Sequence, residues 1–321
     1  MSIWRGLIFA VAIEIPHLIC AQQTNDGEAL SRKYSAAFYT PGGAGLNQQR
    51  LVVFPVDGQA FSLPLPFPLW AYAVSADGEV LWAAGWPDGV DLGSPRLYRI
   101  EFNPTRISPV LGSSGPNPIF SVVVSESQDK IVFSAKYRLT AEMGCGIFEL
   151  AVSRGKVRRI LDSPGCLSFP NGSLSAWRSV SLSPNGEKAV AIRKGRLQLV
   201  DLATSTAKEH NEFGDRLYQA AWSPSGAWIA AAEQDRKERT ILIDTSSFAK
   251  RRTQANTTTE WSPDSRFLLG WKQNDKCGYN VRTLEAVNIN NGKRTTIESS
   301  SCKVPDVNEG TPMWISSEIR K

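Results

Sequence analysis

Histidine is nearly absent from this chain of 321 residues, which has only His17 and His210. Mechanisms of the Ser-His-Asp or Cys-His type use an imidazole as general base, so beyond the N-terminus any of them would have to use His210. That residue lies in a polar segment, where we expect a solvated turn residue. A Gly-x-Ser-x-Gly elbow and a Cys-x-x-Cys pair are also missing, so the usual signals of a serine hydrolase and of a zinc site are not present.

Long apolar runs are lacking too. The N-terminal apolar segment, 6–13, follows Arg5 and is too short to span a bilayer. A short basic start and a brief apolar segment are typical of a secretory signal peptide, and we place cleavage after Ala21. A lipoprotein anchor at Cys20 is the alternative. We therefore predict a periplasmic or secreted protein without a transmembrane segment in its mature chain.

One pattern occurs five times along the rest of the chain. A strand-like segment ends in serine, and all but one of the turns that follow are rich in Pro, Asp, Asn and Gly. The five stretches are 73–78, 123–125, 181–186, 221–226 and 260–264. Their serines are spaced by roughly 40–60 residues, and each turn leads into a short apolar run, which predicts a strand buried on both faces. With the two strands expected after it, each unit is a four-stranded meander of the size of a propeller blade.

The two ends of the chain fit a closed ring. Segment 313–316 resembles the innermost strand of the repeats, yet almost no chain follows it, whereas residues 35–63 provide strands before the first repeat. A ring closed by N-terminal strands plus the C-terminal strand removes free sheet edges. We predict a signal peptide at 1–21, a flexible leader at 22–34 and a single domain at 35–321. This domain is all-β, a six-bladed β-propeller of four-stranded antiparallel blades.

The Trp-Ser-Pro turns at 222–224 and 261–263, each followed by a short apolar strand, resemble the repeats of a known family. This family is the TolB-type, WD40-like (PD40-repeat) six-bladed β-propellers, which are common among exported bacterial proteins. The resemblance extends over residues 35–317 and implies the propeller fold. It leaves function open, because such repeats occur in translocation proteins, in propeller halves of serine peptidases and in other exported proteins. The unit at Ser125 departs from the pattern, since 126–129 lack both Pro and Gly.

Four cysteines remain if Cys20 leaves with the signal, and an even number in an oxidising compartment indicates disulfide bonds. Three pairings are possible. Equivalent positions in two repeats favour Cys145 with Cys166 and Cys277 with Cys302. Each bond would close a loop of some twenty residues and contribute roughly 3 kcal/mol in the chain-entropy model.

Candidate binding residues lie where the second strand of each repeat is expected to end, and the connections 85–94 and 139–145 are expected to be loops on the same face. Counted from the aligned serines, these positions carry or adjoin basic and aromatic side chains. The candidates are Trp86, Lys136, Tyr137, Arg138, Arg193, Lys194, Trp271 and Lys272. Around one mouth of the channel they predict a recessed surface for a protein, peptide or envelope polymer. The competing interpretation is that charged loops simply keep the ring soluble.

The net charge of +5 is too modest to indicate a nucleic-acid partner. We predict no catalytic residue, metal ligand or cofactor, and a monomeric binding or scaffolding module. The alternative is a propeller hydrolase or lyase that uses carboxylates or a bound metal at the central channel. Carboxylates such as Asp88, Glu142, Glu233, Asp275 and Glu285 are available, but their spacing pairs none of them.

Overall fold

The computed structural model describes residues 34–40, 49–54, 61–65, 67, 69–75, 77–85, 96–102, 105–111, 115–116, 119–139, 142–164, 180–234, 239–253, 259–273, 282–299 and 312–316. The predicted signal peptide and nearly all of the leader lie outside these ranges. Within them the regular structure is almost entirely β-strand, with two short 3-10 turns at Val152–Arg154 and Asn211–Phe213. No helix among these residues has the length and apolar character needed to cross a membrane.

The strands are numbered along the chain. The first twelve are β1 (Tyr34–Thr40), β2 (Gln49–Phe54), β3 (Phe61–Leu65), β4 (Leu69–Val74), β5 (Val80–Gly85), β6 (Arg96–Phe102), β7 (Thr105–Pro109), β8 (Ile119–Val124), β9 (Lys130–Leu139), β10 (Glu142–Ala151), β11 (Lys156–Pro164) and β12 (Val180–Leu182). The others are β13 (Lys188–Arg193), β14 (Arg196–Asp201), β15 (Thr206–His210), β16 (Leu217–Trp222), β17 (Trp228–Glu233), β18 (Arg239–Asp244), β19 (Lys250–Arg252), β20 (Glu260–Trp261), β21 (Phe267–Gln273), β22 (Arg282–Asn288), β23 (Arg294–Ser299) and β24 (Pro312–Ser316).

Among the described residues these strands form four-stranded antiparallel sheets, which are the blades of a β-propeller. Sheet 1 has the order β24-β1-β2-β3, and sheets 2 to 6 follow along the chain as β4–β7, β8–β11, β12–β15, β16–β19 and β20–β23. Strand β24 pairs with β1, from Tyr34 opposite Ser316 to Phe38 opposite Pro312. As predicted, the first sheet thus joins the C-terminal strand to N-terminal strands.

The first strand of a sheet lies next to the first strand of a neighbouring sheet, so these strands surround the central axis. Strand β8 contacts β4 and β12, β12 contacts β16, and β24 contacts both β20 and β4. Sheets 5 and 6 are joined near the axis by the indole Nε1 of Trp261, which donates to the carbonyl oxygen of Ala221 at 3.1 Å. Trp261 is 8% exposed, so its ring is buried between the two blades.

The repeated serine forms the turn after each first strand. Its hydroxyl accepts a hydrogen bond from the backbone N–H five residues later, at 3.0 Å for Ser75 and Val80 and at 2.9 Å for Ser262 and Phe267. The same bond occurs at Ser125, Ser183 and Ser223. All five serines are buried. A buried hydroxyl with a backbone partner explains why serine recurs at this position.

The turns also need a residue with positive φ three positions after the serine. Glycine occupies this position in three of the turns, as at Gly78 with φ of 77°. Gln128 and Ser265 adopt it without glycine, at 57° and 60°. Both side chains contact a neighbouring turn: Gln128 Nε2 donates to Asp77 Oδ2 at 3.0 Å, and Ser265 Oγ accepts from the backbone N–H of Ser225 at 2.8 Å. In the repeat at Ser125, Gln128 therefore takes the place of glycine, and its side chain forms a hydrogen bond to the neighbouring sheet.

The core lies between adjacent sheets. Every residue of β5 is buried, as are the central residues of β13 and β17. Side chains from sheets 2 and 3, such as Trp82 and Phe133, share one cluster, and Ile192 and Ile229 of sheets 4 and 5 share another. Because each second strand has a neighbouring sheet on both faces, it needs an unbroken apolar run, which is what the sequence indicated.

Candidate functional site

The propeller has two ends that differ in chemistry. The turn face carries the five serine turns, and the loop face is the opposite end, where the second strand of each sheet passes into the third. The candidate binding residues were predicted on the loop face. Trp86 lies outside the described residues, and for Arg138, Trp271 and Lys272 the structure describes only the backbone, within β9 and β21.

The prediction for residues 136–145 needs correction. Strand β9 continues to Leu139 and pairs with β10 from Glu142 onward, so Lys136, Tyr137 and Arg138 lie within a strand rather than after it. The connection expected at 139–145 is correspondingly a long hairpin. Its register is continuous from Lys130 opposite Ala151 to Leu139 opposite Glu142. This hairpin therefore extends farther than the hairpin of sheet 4, which ends at Arg193 opposite Arg196.

Lys136 and Tyr137 point to opposite faces of their sheet, as consecutive residues of a strand do. The Nζ atom of Lys136 lies 6.0 Å from the ring centroid of Phe120 on β8. Tyr137 instead packs edge-on against Phe148 at 5.5 Å, with the guanidinium of Arg159 over its ring at 5.0 Å. The structure therefore does not combine Lys136 and Tyr137 into one cluster.

The Tyr137 hydroxyl is held on its own side of the sheet. It donates a hydrogen bond to Asp162, whose carboxylate is 3.5 Å from the Nε atom of Arg159. Burial and, next, the hydrogen bond to Asp162 raise the pKa of Tyr137 above its usual 10. Tyr137 is consequently a neutral donor that is already engaged within its sheet.

Arg193 and Lys194 lie at the tip of the β13–β14 hairpin, as predicted. Lys194 is exposed and has φ of 50°, and Gly195 follows with φ of 79°. A Cβ at Gly195 would lie 1.9 Å from the carbonyl oxygen of Asp215, so the next sheet approaches this turn closely. The backbone N–H of Leu217 donates to the Gly195 carbonyl at 2.8 Å, which anchors the tip against β16.

Three first strands carry a β-bulge at the same position, five residues before the repeated serine. The register shifts between Leu69 and Ala71, between Ile119 and Ser121, and between Leu217 and Gln219. An aromatic residue occupies each bulge: Trp70, Phe120 and Tyr218. Bulges redirect side chains and are common beside functional sites. Phe120 and Tyr218 are both partly exposed.

These bulges lie at the loop-face ends of the first strands, beside the positions singled out in the sequence. Ile119 pairs with Ala135, so Phe120 adjoins Lys136, and Leu217 pairs with Glu233. We call Phe120, Tyr218, Lys136 and the backbone position of Trp70 the aromatic mouth. Sequence analysis missed its aromatic members, although an aromatic residue five positions before the aligned serine in three repeats is a signal that could have found them.

Glu260 is a carboxylate whose pKa is strongly raised. It lies on β20, a first strand, and is partly exposed as a residue. Burial of its carboxyl group raises the pKa from 4.5 to about 7. A carboxyl group at this position can exchange a proton near neutral pH, which is a property of general acids and bases.

His210 is not the solvated turn residue that the sequence predicted. It ends β15 and is only 2% exposed, stacked on the ring of Phe248 at 4.6 Å and on that of Phe213 at 5.9 Å. Its Nδ1 atom lies 2.7 Å from Glu212 Oε1, whereas its buried Nε2 atom has no hydrogen-bond partner. The polar sequence around it is misleading because the turn that follows brings Phe213 against the ring and the next sheet brings Phe248.

An open cavity of about 380 Å³ lies on the turn face, between the serine turns of sheets 3 and 4. Lys130 crosses it and donates to the carbonyl oxygen of Gly186 at 3.1 Å. The hydroxyls of Ser127 and Ser125 lower the pKa of Asp129, so that carboxylate is charged and already has its donors. These contacts serve the junction of the two sheets.

Neither a metal site nor a catalytic constellation is found in the described part of the chain. No group of three or more His, Cys, Asp or Glu side chains there could hold a metal ion. Cys145 is 1% exposed and is disulfide-bonded. Cys166, Cys277 and Cys302 lie outside the described residues, so the pairings remain predictions.

Comparison with known proteins gives the fold and little more. No protein-family model and no curated protein matches the sequence. Among solved structures, TolB from Acinetobacter baumannii superposes with a TM-score of 0.66 at 13% identity, over 88% of this chain and 66% of its own. This chain thus spans just under two thirds of that protein.

Two enzymes superpose as well. Oligogalacturonate lyase in complex with manganese has a TM-score of 0.54 at 12% identity, over 80% of this chain and 73% of its own. Oligogalacturonate lyase from Vibrio parahaemolyticus has a TM-score of 0.55 at 10% identity, over 84% of this chain and 81% of its own. At such identities the likeness concerns the fold alone. The blades, their order and these superpositions make the fold a TolB-like β-propeller.

Proposed function

We propose that this protein is a non-enzymatic, exported binding module that captures a protein, peptide or envelope polymer at the aromatic mouth. The six sheets act as a closed six-bladed ring that holds the mouth rigid. The observation that carries the proposal is the bulged aromatic residue repeated on three first strands. Tyr, Trp and Arg are the residue types that dominate binding energy at protein interfaces, and partly exposed aromatic rings at a recessed rim suit this use.

Lys136 contributes charge to this surface. Its ammonium group lies over the ring of Phe120, where a cation is attracted by the ring face but stays available to a partner at the mouth. A cation beside exposed aromatic rings favours a partner segment that combines apolar side chains with acidic ones. The basic hairpin tip at Lys194 belongs to the same face and would extend the contact.

Export and the disulfide bonds are part of the proposal. The basic start and short apolar segment of the N-terminus support a signal peptide, and the disulfide at Cys145 suits an oxidising compartment such as the periplasm. We propose Cys166 as its partner and a second bond between Cys277 and Cys302. Catalysis of the Ser-His-Asp type is disfavoured, since His210 is buried between two phenylalanine rings.

The test is affinity capture from envelope extract with three proteins: the wild type, K136E/Y218A, and K156E/I107A as a control. The control changes an exposed lysine and an exposed apolar residue on outer strands, away from the mouth. A partner retained by the wild type and the control but lost by K136E/Y218A would support the proposal. Titration of that purified partner should then show at least a tenfold weaker Kd for K136E/Y218A, about 1.4 kcal/mol. Equal capture by all three proteins would move the site elsewhere.

A second candidate function rests on Glu260. A channel-side carboxyl group with a pKa of about 7 could serve a propeller hydrolase or lyase, and one of the superposed structures is an oligogalacturonate lyase with manganese. Here the test is incubation with manganese and oligogalacturonate, followed by ultraviolet detection of unsaturated products. Activity that disappears in E260Q would replace the binding proposal with an enzymatic one. Absence of product and of stoichiometric manganese binding would remove this candidate.

A further inference from the structure

The outer edge of sheet 5 carries a short strand made only of cations. Strand β19 consists of Lys250, Arg251 and Arg252, and all three residues are exposed. It pairs with β18 and is the last strand of its sheet. Charged side chains, lysine above all, discourage pairing between sheet edges, and here three consecutive cations occupy the whole edge strand.

These cations are not neutralised by the described part of the chain. Lys250 Nζ donates to the backbone carbonyl of Glu212 at 3.1 Å, and the Arg251 guanidinium lies 4.7 Å from the ring centroid of Trp228. Neither contact involves a carboxylate, and no ion pair of Lys250, Arg251 or Arg252 is found among the described residues. The charge of the strand therefore faces solvent.

The equivalent strand of sheet 3 shows that the fold can pair such charges. On β11, Arg158 Nη2 lies 3.2 Å from Glu149 Oε2, and Arg159 Nε lies 3.5 Å from Asp162 Oδ1. Both are outer-strand arginines like those of β19. The difference is that sheet 3 supplies carboxylates that pair with its outer strand, whereas no carboxylate in the described part of sheet 5 pairs with β19.

Described carboxylates on β18 and on or just after the neighbouring β15 are already engaged elsewhere. Glu212 accepts from His210, and Glu209 is bound by Arg196 at 2.8 Å. Asp244 is surrounded by the hydroxyl and backbone N–H groups of the turn that follows it, with the Ser246 hydroxyl first, which lower its pKa to about 2. Exposed Lys208 on β15 adds a further cation on the neighbouring sheet. We call Lys208, Lys250, Arg251 and Arg252 the basic rim.

Trp228 gives the rim a second property. Its ring is partly exposed under the Arg251 guanidinium. Tryptophan with lysine and arginine is the combination that lies at the boundary between lipid headgroups and water, because an apolar body and a polar tip are both accommodated there. Arginine in addition forms paired hydrogen bonds with phosphate oxygens.

We propose that the basic rim docks on the surface of an anionic phospholipid membrane. The site is an exposed edge strand rather than a pocket, so its partner is an extended anionic surface and not a small anion. Charge complementarity selects headgroup phosphates that carry net negative charge. The proposal concerns the outer edge of sheet 5 and stands independently of the aromatic mouth.

The experiment is co-sedimentation of the full chain with vesicles of phosphatidylcholine alone or mixed with phosphatidylglycerol. The variant is K250Q/R251Q/R252Q. The control is K156Q/R158Q/R159Q, which removes the same number of charges from the equivalent strand β11. All proteins share the same N-terminal segment, so differences between them arise at the rim. Circular dichroism and Tm establish that both variants are folded.

We expect the wild type and the control to bind mixed vesicles, and the rim variant to bind roughly a hundredfold more weakly, since each cation near an anionic surface is worth about a factor of five. Added salt should release the wild type. Equal weakening of both triple variants would overturn the proposal, because net charge alone would then be responsible. Equal binding to both vesicle types, or binding to soluble polyglutamate but not to mixed vesicles, would overturn it as well.

Discussion

The raised pKa of Glu260 makes a prediction about stability that can be worked through quantitatively. In the folded protein this carboxyl group titrates at about 7, compared with 4.5 when it is solvated. Between these two pH values the unfolded chain has released the proton while the folded protein still holds it. The free energy of unfolding therefore falls as pH rises from about 4.5 to 7 and changes no further above that range.

The size of the effect follows from the two pKa values. One pKa unit is worth about 1.4 kcal/mol, so the interval from 4.5 to about 7 corresponds to about 3 kcal/mol. Glu260 is partly exposed as a residue, and screening by solvent reduces the expected loss to about 2 kcal/mol. The variant E260Q has no proton to release at this position. We expect it to match the wild type at pH 4 and to be about 2 kcal/mol more stable at pH 8.

The assay is urea unfolding of the wild type and E260Q at several pH values from 4 to 8. The variant E79Q serves as control, since Glu79 is exposed in the serine turn of sheet 2. Other titrating groups affect all three proteins equally and cancel in the differences. If the difference between the wild type and E260Q is the same at every pH, or grows in the opposite direction, the carboxyl group is not desolvated and the argument fails.

Three further predictions concern a tight turn, a buried ring and a disulfide bond. Gly195→Ala should cost more than about 2 kcal/mol in urea unfolding because its Cβ would meet a backbone carbonyl, whereas Gly155→Ala, with φ of 58° and open space, should cost about 1 kcal/mol. His210→Phe keeps the stacked ring and should change the free energy of unfolding by less than about 1 kcal/mol. His210→Ala removes the ring and should cost about 3 kcal/mol. Equal costs for the two variants would refute the stacking argument. Cys166→Ser should lower stability by roughly 3 kcal/mol in non-reducing buffer if Cys166 pairs with Cys145. Reductant also opens the bond proposed between Cys277 and Cys302, so it should lower both proteins, but the wild type by about that much more, and so remove the difference between them.

Much of the fold could be predicted because its signals are local. The hydroxyl of Ser75 bonds a backbone N–H only five residues away, so the same serine and turn residues recur wherever that turn forms. The apolar run of β5 follows from its position between two sheets, and it is visible without knowing which sheets these are. The pairing of β24 with β1 was also accessible, since a ring needs strands at both ends of the chain.

The candidate site depends on contacts that no local pattern reveals. Counting from the serine placed Lys136 correctly at the loop face but could not show that β9 continues past it, since this length is decided by pairing with β10. Nor could it show that Lys136 lies against Phe120 while Tyr137 packs against Phe148. His210 was misjudged for the same reason, as Phe248 reaches it from the following sheet.

The two faces of the propeller therefore differ in how strongly the sequence constrains them. On the turn face, buried serines and residues of positive φ meet the requirements of a tight turn. Where Gln128 stands in place of glycine, its side chain forms a hydrogen bond to Asp77 of the neighbouring turn. On the loop face, Phe120 and Tyr218 occupy bulges, where the ladder is interrupted and a side chain is redirected. Strand pairing does not require the partly exposed aromatic rings of Phe120 and Tyr218 in equivalent bulges. A binding partner would explain this exposure. Affinity capture with the wild type and K136E/Y218A decides between a partner and packing alone.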